Sequence, residues 1–226
     1  MIDRVKLGQV LAKYQMTFDS TSLAQLISYI MLLDKWNKIH NITGLNNFND
    51  MLKTHILDSL IALKELETIF IGRKFIEVID IGSGNGTPGI PWAIAKKEIN
   101  LSLVEKNQKK TAFLHSAIQS LELNKRVKIY AKRFENLAIS KTFDVITSRA
   151  LMSPESFVNN TFDLGGKKTV WAIMTTNEKM DFMKEQFLKE KGLVKVLEKT
   201  YELKYCAEFK TPKKPKKKII LIQNQN

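Results

Sequence analysis

A glycine-rich segment at residues 80–89 has the residue types and spacing of a ligand-binding turn. It reads Asp-Ile-Gly-Ser-Gly-Asn-Gly-Thr-Pro-Gly and follows a short β-rich run at residues 75–80. Alternating glycines allow a tight turn and let a ligand approach bare backbone N–H groups. Thr87 occupies the position where the dinucleotide fingerprint needs glycine or alanine, so the pattern for a nicotinamide cofactor fails here.

Acidic residues at two strand ends supply a second part of this chemistry. Asp80 can meet the amino group of a ligand, directly or through water, while backbone N–H groups of the loop take a carboxylate. Glu105 ends the next predicted strand, where a carboxylate can accept hydrogen bonds from both ribose hydroxyls of a nucleoside. Together with Gly82 and Gly84, these carboxylates predict a site for a nucleoside that carries an amino acid.

The elements that must position these residues alternate between strand and helix. Short β-rich runs lie at residues 75–80, 101–105, 127–131, 143–147, 169–174, 193–203 and 217–222, and helical patterns lie at residues 109–121 and 177–191. This alternation predicts an α/β fold with a parallel sheet and helices on both of its faces. Ligands of such sheets bind outside the carboxyl ends of the strands.

Residues 1–70 follow a helical pattern instead. A helix that Thr21 or Ser22 can cap has apolar residues at helical spacing, and a second such pattern follows an asparagine-rich loop. We therefore predict an N-terminal helical extension at residues 1–70 and a core at residues 71–226, joined in one compact unit.

The glycine-rich segment, continued to Pro91, resembles the signature of the RsmG (GidB) family of bacterial methyltransferases. Further segments match other blocks of that family, in order. They are Trp36-Asn37-Lys38-Ile39-His40-Asn41-Ile42-Thr43, His55-Ile56-Leu57-Asp58-Ser59-Leu60, Leu103-Val104-Glu105, Lys109-Lys110, Phe113-Leu114, Arg133-Phe134-Glu135 and Ser148-Arg149-Ala150. The resemblance implies a Rossmann-like class I S-adenosylmethionine-dependent methyltransferase that makes 7-methylguanosine in 16S ribosomal RNA.

The resemblance also implies which residues surround S-adenosylmethionine. The positions that match the family's site are Gly82, Thr87, Phe134, Glu135 and Arg149. Phe134 and Glu135 would lie beside the adenine. The general methyltransferase plan and the loop pattern add Asp80, Gly84 and Glu105.

Two departures from the family pattern concern the site. Thr87 stands where the family usually has a bulky apolar residue, next to the expected cofactor. Residues 172–176 read Ala-Ile-Met-Thr-Thr, without the lysine and glycine of the Ala-Leu-Lys-Gly type of turn that related sequences often carry there.

The chemistry that the resemblance implies needs no proton-transfer residue. Guanine N7 has a lone pair and no proton, so its attack on a sulfonium methyl group needs alignment and desolvation but no general base. We accordingly assign no catalytic residue. Arg149 can instead pair with guanine O6 or with a phosphate.

Two other methylation chemistries lack their usual residues. The single cysteine, Cys206, is far along the chain from the glycine-rich segment, which disfavours a cysteine nucleophile for methylation at cytosine C5. Residues 147–151 read Thr-Ser-Arg-Ala-Leu, where exocyclic amino methylation commonly uses an (Asn/Asp)-Pro-Pro-(Tyr/Phe) turn. These absences favour a ring nitrogen or a ribose as the methyl acceptor.

The net charge of +13 is concentrated in one part of the chain. Residues 1–70 contain seven Lys/Arg and seven Asp/Glu, so the whole excess lies in residues 71–226. Such a surface attracts polyanions and is typical of proteins that bind nucleic acid in a salt-dependent way.

Candidate RNA-binding residues lie near the predicted strand ends on the cofactor side. They are Lys109, Lys110, Arg133 and Arg149. The lysine-rich residues 210–218 could either bind RNA phosphates or form a soluble loop before the last strand. We expect 16S ribosomal RNA or the small ribosomal subunit as the partner.

No apolar run approaches the ~18–20 residues of a membrane span, and the start of the chain lacks the layout of a signal peptide. We therefore expect a cytoplasmic, monomeric protein with no membrane contact. His40 and His55 are assigned to support of the N-terminal fold, and three histidines with one cysteine show no metal-ligand spacing.

Three alternatives stay open at this point. The chain could methylate another RNA, a small molecule or a protein; it could be a nicotinamide-dependent oxidoreductase; or it could be a non-catalytic RNA-binding protein. The charge excess and the family blocks disfavour a small-molecule or protein acceptor. Thr87 disfavours the oxidoreductase, and the intact glycine-rich segment with Glu105 disfavours the non-catalytic protein.

Overall fold

The computed structural model describes residues 3–176, 183–201, 203 and 217–225. Within these residues, seven strands form one sheet in the order β3-β2-β1-β4-β5-β7-β6. The strands are β1 (Ile76–Ile81), β2 (Ile99–Val104), β3 (Val127–Tyr130), β4 (Phe143–Arg149), β5 (Gly165–Thr176), β6 (Leu193–Tyr201) and β7 (Lys217–Asn224). Strands β1 to β5 are mutually parallel, whereas β7 runs antiparallel between β5 and β6. The predicted α/β fold is confirmed.

Helices cover both faces of this sheet. They are α1 (Arg4–Ala12), α2 (Ser20–His40), α3 (Phe48–Met51), α4 (Asp58–Lys64), α5 (Glu67–Phe70), α6 (Gly89–Ala95), α7 (Gln108–Ser120), α8 (Pro154–Thr161) and α9 (Glu185–Glu190). A π-helical turn, Leu52–Leu57, joins α3 to α4. No helix in the described part of the chain combines the length and the apolar character that a membrane crossing requires.

The predicted cap of α2 is wrong by two or three residues. Asp19 caps the helix, and its side chain accepts the backbone N–H of Ser22 at 2.6 Å. Thr21 and Ser22 therefore lie inside the first turn. A carboxylate at this position also interacts favourably with the positive end of the helix dipole, which explains why Asp19 is preferred over a hydroxyl two residues later.

Several other bounds differ from the prediction. The helix expected at residues 177–191 is observed as Glu185–Glu190, and residues 177–182 lie outside the described part. Cys206 and most of residues 210–218 also lie outside it. The second strand ends at Val104 rather than at Glu105, because its register with β3 ends there.

The strands of the sheet's centre bury both of their faces, as parallel strands covered by helices do. On one face, Val78, Leu103 and Val145 belong to a core that is shared with α2, α6 and α7. On the other face, Ile79 and Ile146 pack in a second core with α8 and α9. The carboxyl ends of β1, β2 and β4 consequently meet at one edge of a rigid sheet.

The helical extension shares the first of these cores with the sheet. Phe113 of α7 is fully buried, and its ring centroid lies 5.9 Å from that of Trp36 and 6.3 Å from that of Tyr29, both in α2. Trp92 of α6 donates from Nε1 to the carbonyl oxygen of Ser59 in α4 at 2.7 Å. Because one apolar core crosses the predicted boundary at residue 70, we propose that the two parts unfold together.

We expect Phe113→Ala to lower the free energy of unfolding by about 3–5 kcal/mol, because a buried ring is lost and a cavity remains. The matched variant Phe75→Ala removes a ring that is 59% exposed and should change stability by no more than about 0.5 kcal/mol. Calorimetry should show one transition that shifts as a whole in the Phe113→Ala protein. Two separate transitions, with only one of them shifted, would contradict the shared core.

Candidate functional site

The glycine loop, residues 81–89, is held to the end of β2 by backbone hydrogen bonds. The N–H groups of Gly82 and Ser83 both donate to the carbonyl oxygen of Val104, at 2.9 and 3.0 Å. The Ser83 hydroxyl donates to the carbonyl oxygen of Asp80 at 2.8 Å and accepts the N–H of Val104 at 3.0 Å. The loop is therefore a fixed surface rather than a loose connection.

Two glycines of this loop are needed for steric reasons. Gly82 has a φ of +69°, and a Cβ there would lie 2.9 Å from a methyl group of Leu151. A Cβ on Gly89 would lie 2.9 Å from Oδ2 of Asp80 and from a methyl group of Leu103. Side chains at either position would push the loop away from the strand ends.

Asp80 is a fully buried carboxylate at the end of β1. Its Oδ2 accepts the N–H of Gly89 at 3.0 Å, and its Oδ1 has no hydrogen-bond partner among the described residues. Burial raises the pKa of Asp80 to about 7, although the Gly89 hydrogen bond and the positive charge of Arg149 oppose this shift. A cationic ligand group could complete the coordination of Oδ1, directly or through a water molecule.

Glu105 connects the glycine loop to the start of α7. Its Oε2 accepts the N–H of Gly84 at 2.8 Å, and its Oε1 accepts the N–H of Asn107 at 2.8 Å. Each oxygen keeps a further lone pair for another donor, such as a ribose hydroxyl.

A pocket of about 260 Å³ opens at this edge of the sheet. It is lined by Gly82, Val104, Glu105, Lys106, Lys110, Lys132, Arg133, Phe134, Glu135 and Leu151. A glycine turn, an acidic strand end and a half-buried aromatic ring surround one space, as the binding of a nucleoside requires.

The rim of this pocket is basic. Lys106, Lys132 and Arg133 are exposed and Lys110 is partly exposed, and within the described ranges none of the four forms an ion pair. Lys109 is exposed on the first turn of α7 but does not line the pocket. Positive charge next to an acidic strand end allows the pocket to hold a nucleoside while its rim attracts phosphates.

Four of the predicted cofactor residues do not line the pocket, namely Asp80, Gly84, Thr87 and Arg149. Thr87 is buried, and its hydroxyl is hydrogen-bonded to the side-chain amide of Asn85 at 2.7 Å. Arg149, at the end of β4, donates from Nη1 to the carbonyl oxygen of Thr54 at 3.0 Å, and its Nη2 lies 3.2 Å from Nδ1 of His55. The contact of Thr87 and Arg149 with a cofactor stays a prediction.

Residues of the helical extension reach the glycine loop, which the sequence did not indicate. The Tyr29 hydroxyl donates to the carbonyl oxygen of Asn85 at 2.6 Å, and burial raises the pKa of Tyr29 above its usual range. His55, assigned from sequence to the N-terminal fold, lies with Nε2 3.0 Å from the side-chain amide of Asn85. The available signal was the match of His55 to a family block, together with a polar asparagine among the loop glycines.

A larger cavity, of about 500 Å³, lies at the opposite edge of the sheet. Ile71, Val170, Val196 and Leu221 are among its lining residues, and it is remote from the glycine loop. Ligands of parallel sheets bind at the carboxyl ends of the strands. We therefore take the smaller pocket as the candidate site.

Solved structures with a similar fold include methyltransferases. A precorrin-6y C5,15-methyltransferase from Geobacter metallireducens matches with a TM-score of 0.53 and 13% identity, over 74% of this chain and 87% of that one. TYW2 from P. horikoshii in complex with MeSAdo matches with a TM-score of 0.52 and 14% identity, over 73% of this chain and 62% of that one. The strand order and the glycine loop define the Rossmann-like fold of class I S-adenosylmethionine-dependent methyltransferases.

Sequence comparison specifies the family. The model of the GidB family, rRNA small subunit methyltransferase G, matches residues 22–206. The ribosomal RNA small subunit methyltransferase G of Laribacter hongkongensis is 39% identical over 149 residues, which are 66% of this chain and 68% of that protein. The protein of the same name from Pseudomonas aeruginosa is 37% identical over 172 residues, which are 75% of this chain and 77% of that protein. The chain belongs to this family, and the predicted resemblance is confirmed.

The described residues fit the cofactor of this family, S-adenosylmethionine. The unpartnered buried oxygen of Asp80 suits an α-ammonium group, and the spare lone pairs of Glu105 suit ribose hydroxyls. Gly82 presents bare backbone to the same pocket, next to the ring of Phe134. Gly82, Glu105, Phe134 and Glu135 therefore line one pocket, whereas the contact of Asp80 and Gly84 with the cofactor stays a prediction.

The pKa of Asp80 gives a prediction for cofactor affinity. Between pH 5.5 and 7.5 the affinity should rise with pH, by up to ~10-fold per unit below pH 7, because only the ionised carboxylate attracts the ammonium group. The cofactor's own α-amino group keeps its proton in this range, since such groups titrate at about 7.7–8.0. Isothermal calorimetry at several pH values measures the affinity.

Asp80→Asn is the control for this titration, because it keeps the shape and removes the ionisation. Its affinity should be lower at pH 7.5 and independent of pH. In the ligand-free protein, the raised pKa of Asp80 means that its neutral form stabilises the fold. This contribution to the free energy of unfolding is fully present below pH 3.8 and is lost as the pH rises through about 7. An equal pH dependence in the wild type and the variant would exclude Asp80 from the ammonium site.

Proposed function

We propose that this chain transfers the methyl group of S-adenosylmethionine to N7 of a guanine in the 16S ribosomal RNA of the small ribosomal subunit. The proposal depends on a pocket of about 260 Å³ with Glu105, Phe134 and a basic rim at the carboxyl edge of the sheet, in a chain of this family. The relatives from Laribacter hongkongensis and Pseudomonas aeruginosa are named for methylation of small-subunit ribosomal RNA. An RNA substrate places the expected location in the cytoplasm.

The residues of the chain that would bind the cofactor divide into two groups. Asp80 and Glu105 supply carboxylates for its ammonium group and its ribose, whereas Gly82 and Gly84 supply close backbone. Phe134 and Glu135 also line the pocket, where an adenine would be flanked by a ring and a carboxylate. Bound S-adenosylmethionine supplies an electrophilic methyl group on a sulfonium centre.

The proposed acceptor atom needs little from the protein except position. Guanine N7 uses a free lone pair and releases no proton, so no side chain has to act as a base. The task of the chain is to hold the base in line with the methyl group and to exclude water. Arg149, which is anchored at the end of β4, has the planar fork of donors that suits guanine O6 or a phosphate.

The basic residues beside the pocket would bind the RNA backbone. Lys109, Lys110 and Arg133 are at the start of α7 and after β3, close to the pocket opening. Phosphate contacts of this kind orient a nucleic acid without reading its sequence. Selection of one guanine must therefore come from the shape of the RNA or subunit and from contacts to the base.

Transfer of labelled methyl groups to unmodified small ribosomal subunits tests the proposed function. The methylated positions are mapped by chain cleavage at 7-methylguanosine. We expect one modified guanine, which is absent when the enzyme is omitted. Methylation of a different base, or cofactor binding without transfer to subunits or to 16S ribosomal RNA, would contradict the proposed acceptor.

Replacing the basic residues Lys109, Lys110 and Arg133 with glutamine should weaken binding to small subunits and reduce its dependence on salt. The association constant falls with salt concentration, and each lost phosphate contact should reduce the steepness of log K against log salt concentration by about 0.7–0.9. Because Lys110 and Arg133 also line the pocket, the affinity for S-adenosylmethionine is measured in parallel. The slope is measured by filter binding between 50 and ~200 mM salt.

The control variant replaces three lysines at the opposite edge of the sheet. Lys74, Lys167 and Lys168 lie before β1 and at the start of β5, and they are exposed. The same loss of charge there should leave the slope close to that of the wild type. Equal slopes in the two triple variants would mean that the RNA does not bind at the rim of the pocket.

A further inference from the structure

His55 is the centre of a buried hydrogen-bond network between the helical extension and the glycine loop. It lies on the π-helical turn and is 2% exposed. Its Nδ1 is 3.2 Å from Nη2 of Arg149, and its Nε2 is 3.0 Å from the amide of Asn85 and 3.2 Å from Oγ1 of Thr43. π-Helical turns occur frequently at functional sites, where they redirect a side chain.

The partners of the ring define its protonation. A guanidinium can only donate, so Nδ1 of His55 accepts from Arg149 and Nε2 carries the proton. Among the described residues, the acceptors near Nε2–H include the Thr43 hydroxyl and the amide oxygen of Asn85, when the amide is turned so that its nitrogen faces the Thr87 hydroxyl. In this arrangement one ring nitrogen accepts a hydrogen bond and the other donates one.

Two of the neighbours of His55, Asn85 and Arg149, connect it to elements of the proposed active site. Asn85 is a residue of the glycine loop, and its backbone carbonyl oxygen accepts a hydrogen bond from the Tyr29 hydroxyl at 2.6 Å. Arg149 ends β4 and has a second anchor on the carbonyl oxygen of Thr54, in the same π-helical turn. The turn therefore links the loop that would hold the cofactor with the guanidinium that would face the RNA or the cofactor.

We propose that His55 is a positioning residue for methyl transfer, which fixes Arg149 and Asn85 relative to each other through its two ring nitrogens. The inference rests on the proposed function for the role of Arg149. Misplacement of a reacting group by about 1 Å costs on the order of 10²-fold in rate. Loss of His55 should consequently act through Arg149 and the glycine loop rather than through general instability.

The test is a double-mutant cycle with a chemically graded series. His55→Phe removes both hydrogen bonds at similar volume, and His55→Gln restores one acceptor and one donor. His55→Phe should lower kcat/KM for small subunits by about 10²-fold, and His55→Gln should recover at least about tenfold of this loss. In the Arg149→Gln background, His55→Phe should cause a much smaller loss than in the wild type, because one of the two groups that His55 fixes relative to each other is already gone.

The matched control is His115→Phe, at an exposed histidine of α7, which should keep the activity and melting temperature of the wild type. Losses that multiply in the double variant, or no difference between His55→Gln and His55→Phe, would overturn the proposal. If the wild type transfers no methyl group to subunits, the proposed acceptor is wrong. In that case the dissociation constant of S-adenosylmethionine is measured for the same single and double variants. Non-additive losses of binding free energy support the role of His55, and additive losses or no losses overturn it.

Discussion

The carbonyl oxygen of Val104 fixes the turn on which the rest of the site depends. It accepts the N–H groups of both Gly82 and Ser83, so the glycine loop is attached to β2 at the point where that strand ends. The chain must reverse there at a positive φ, which only glycine adopts without strain. With the loop held in this way, the N–H of Gly84 faces the carboxylate of Glu105, and the pocket acquires its acidic wall.

A second constraint is that the helical extension and the sheet share one core. The contacts of Phe113 with α2 place Tyr29 within hydrogen-bond distance of the loop carbonyl of Asn85. The π-helical turn then brings His55 between the loop and Arg149. A binding loop that belongs to the sheet is thus supported by residues that precede the sheet in the chain, and the extension becomes a part of the site rather than an addition to it.

The sequence was sufficient for the parts of this architecture that depend on local pattern. Alternating strands and helices predicted the parallel sheet. The spacing of Gly82 and Glu105 predicted that these two residues lie together, because the fold brings such strand ends to one edge, and both line the pocket. Contacts between residues that are far apart in the sequence could not be predicted from local sequence patterns. The hydrogen bonds of Tyr29 and His55 to Asn85 depend on how two cores pack, and the burial that raises the pKa of Asp80 depends on the same packing.

We expect the smaller pocket at the carboxyl edge, and not the larger cavity at the amino edge, to bind the cofactor. A crystal structure of the protein with S-adenosylhomocysteine tests this expectation most directly. It should show the ribose on Glu105, the adenine beside Phe134 and the amino group near Asp80. Binding of the nucleoside in the cavity near Ile71, or in the smaller pocket without contact to Glu105, would contradict it.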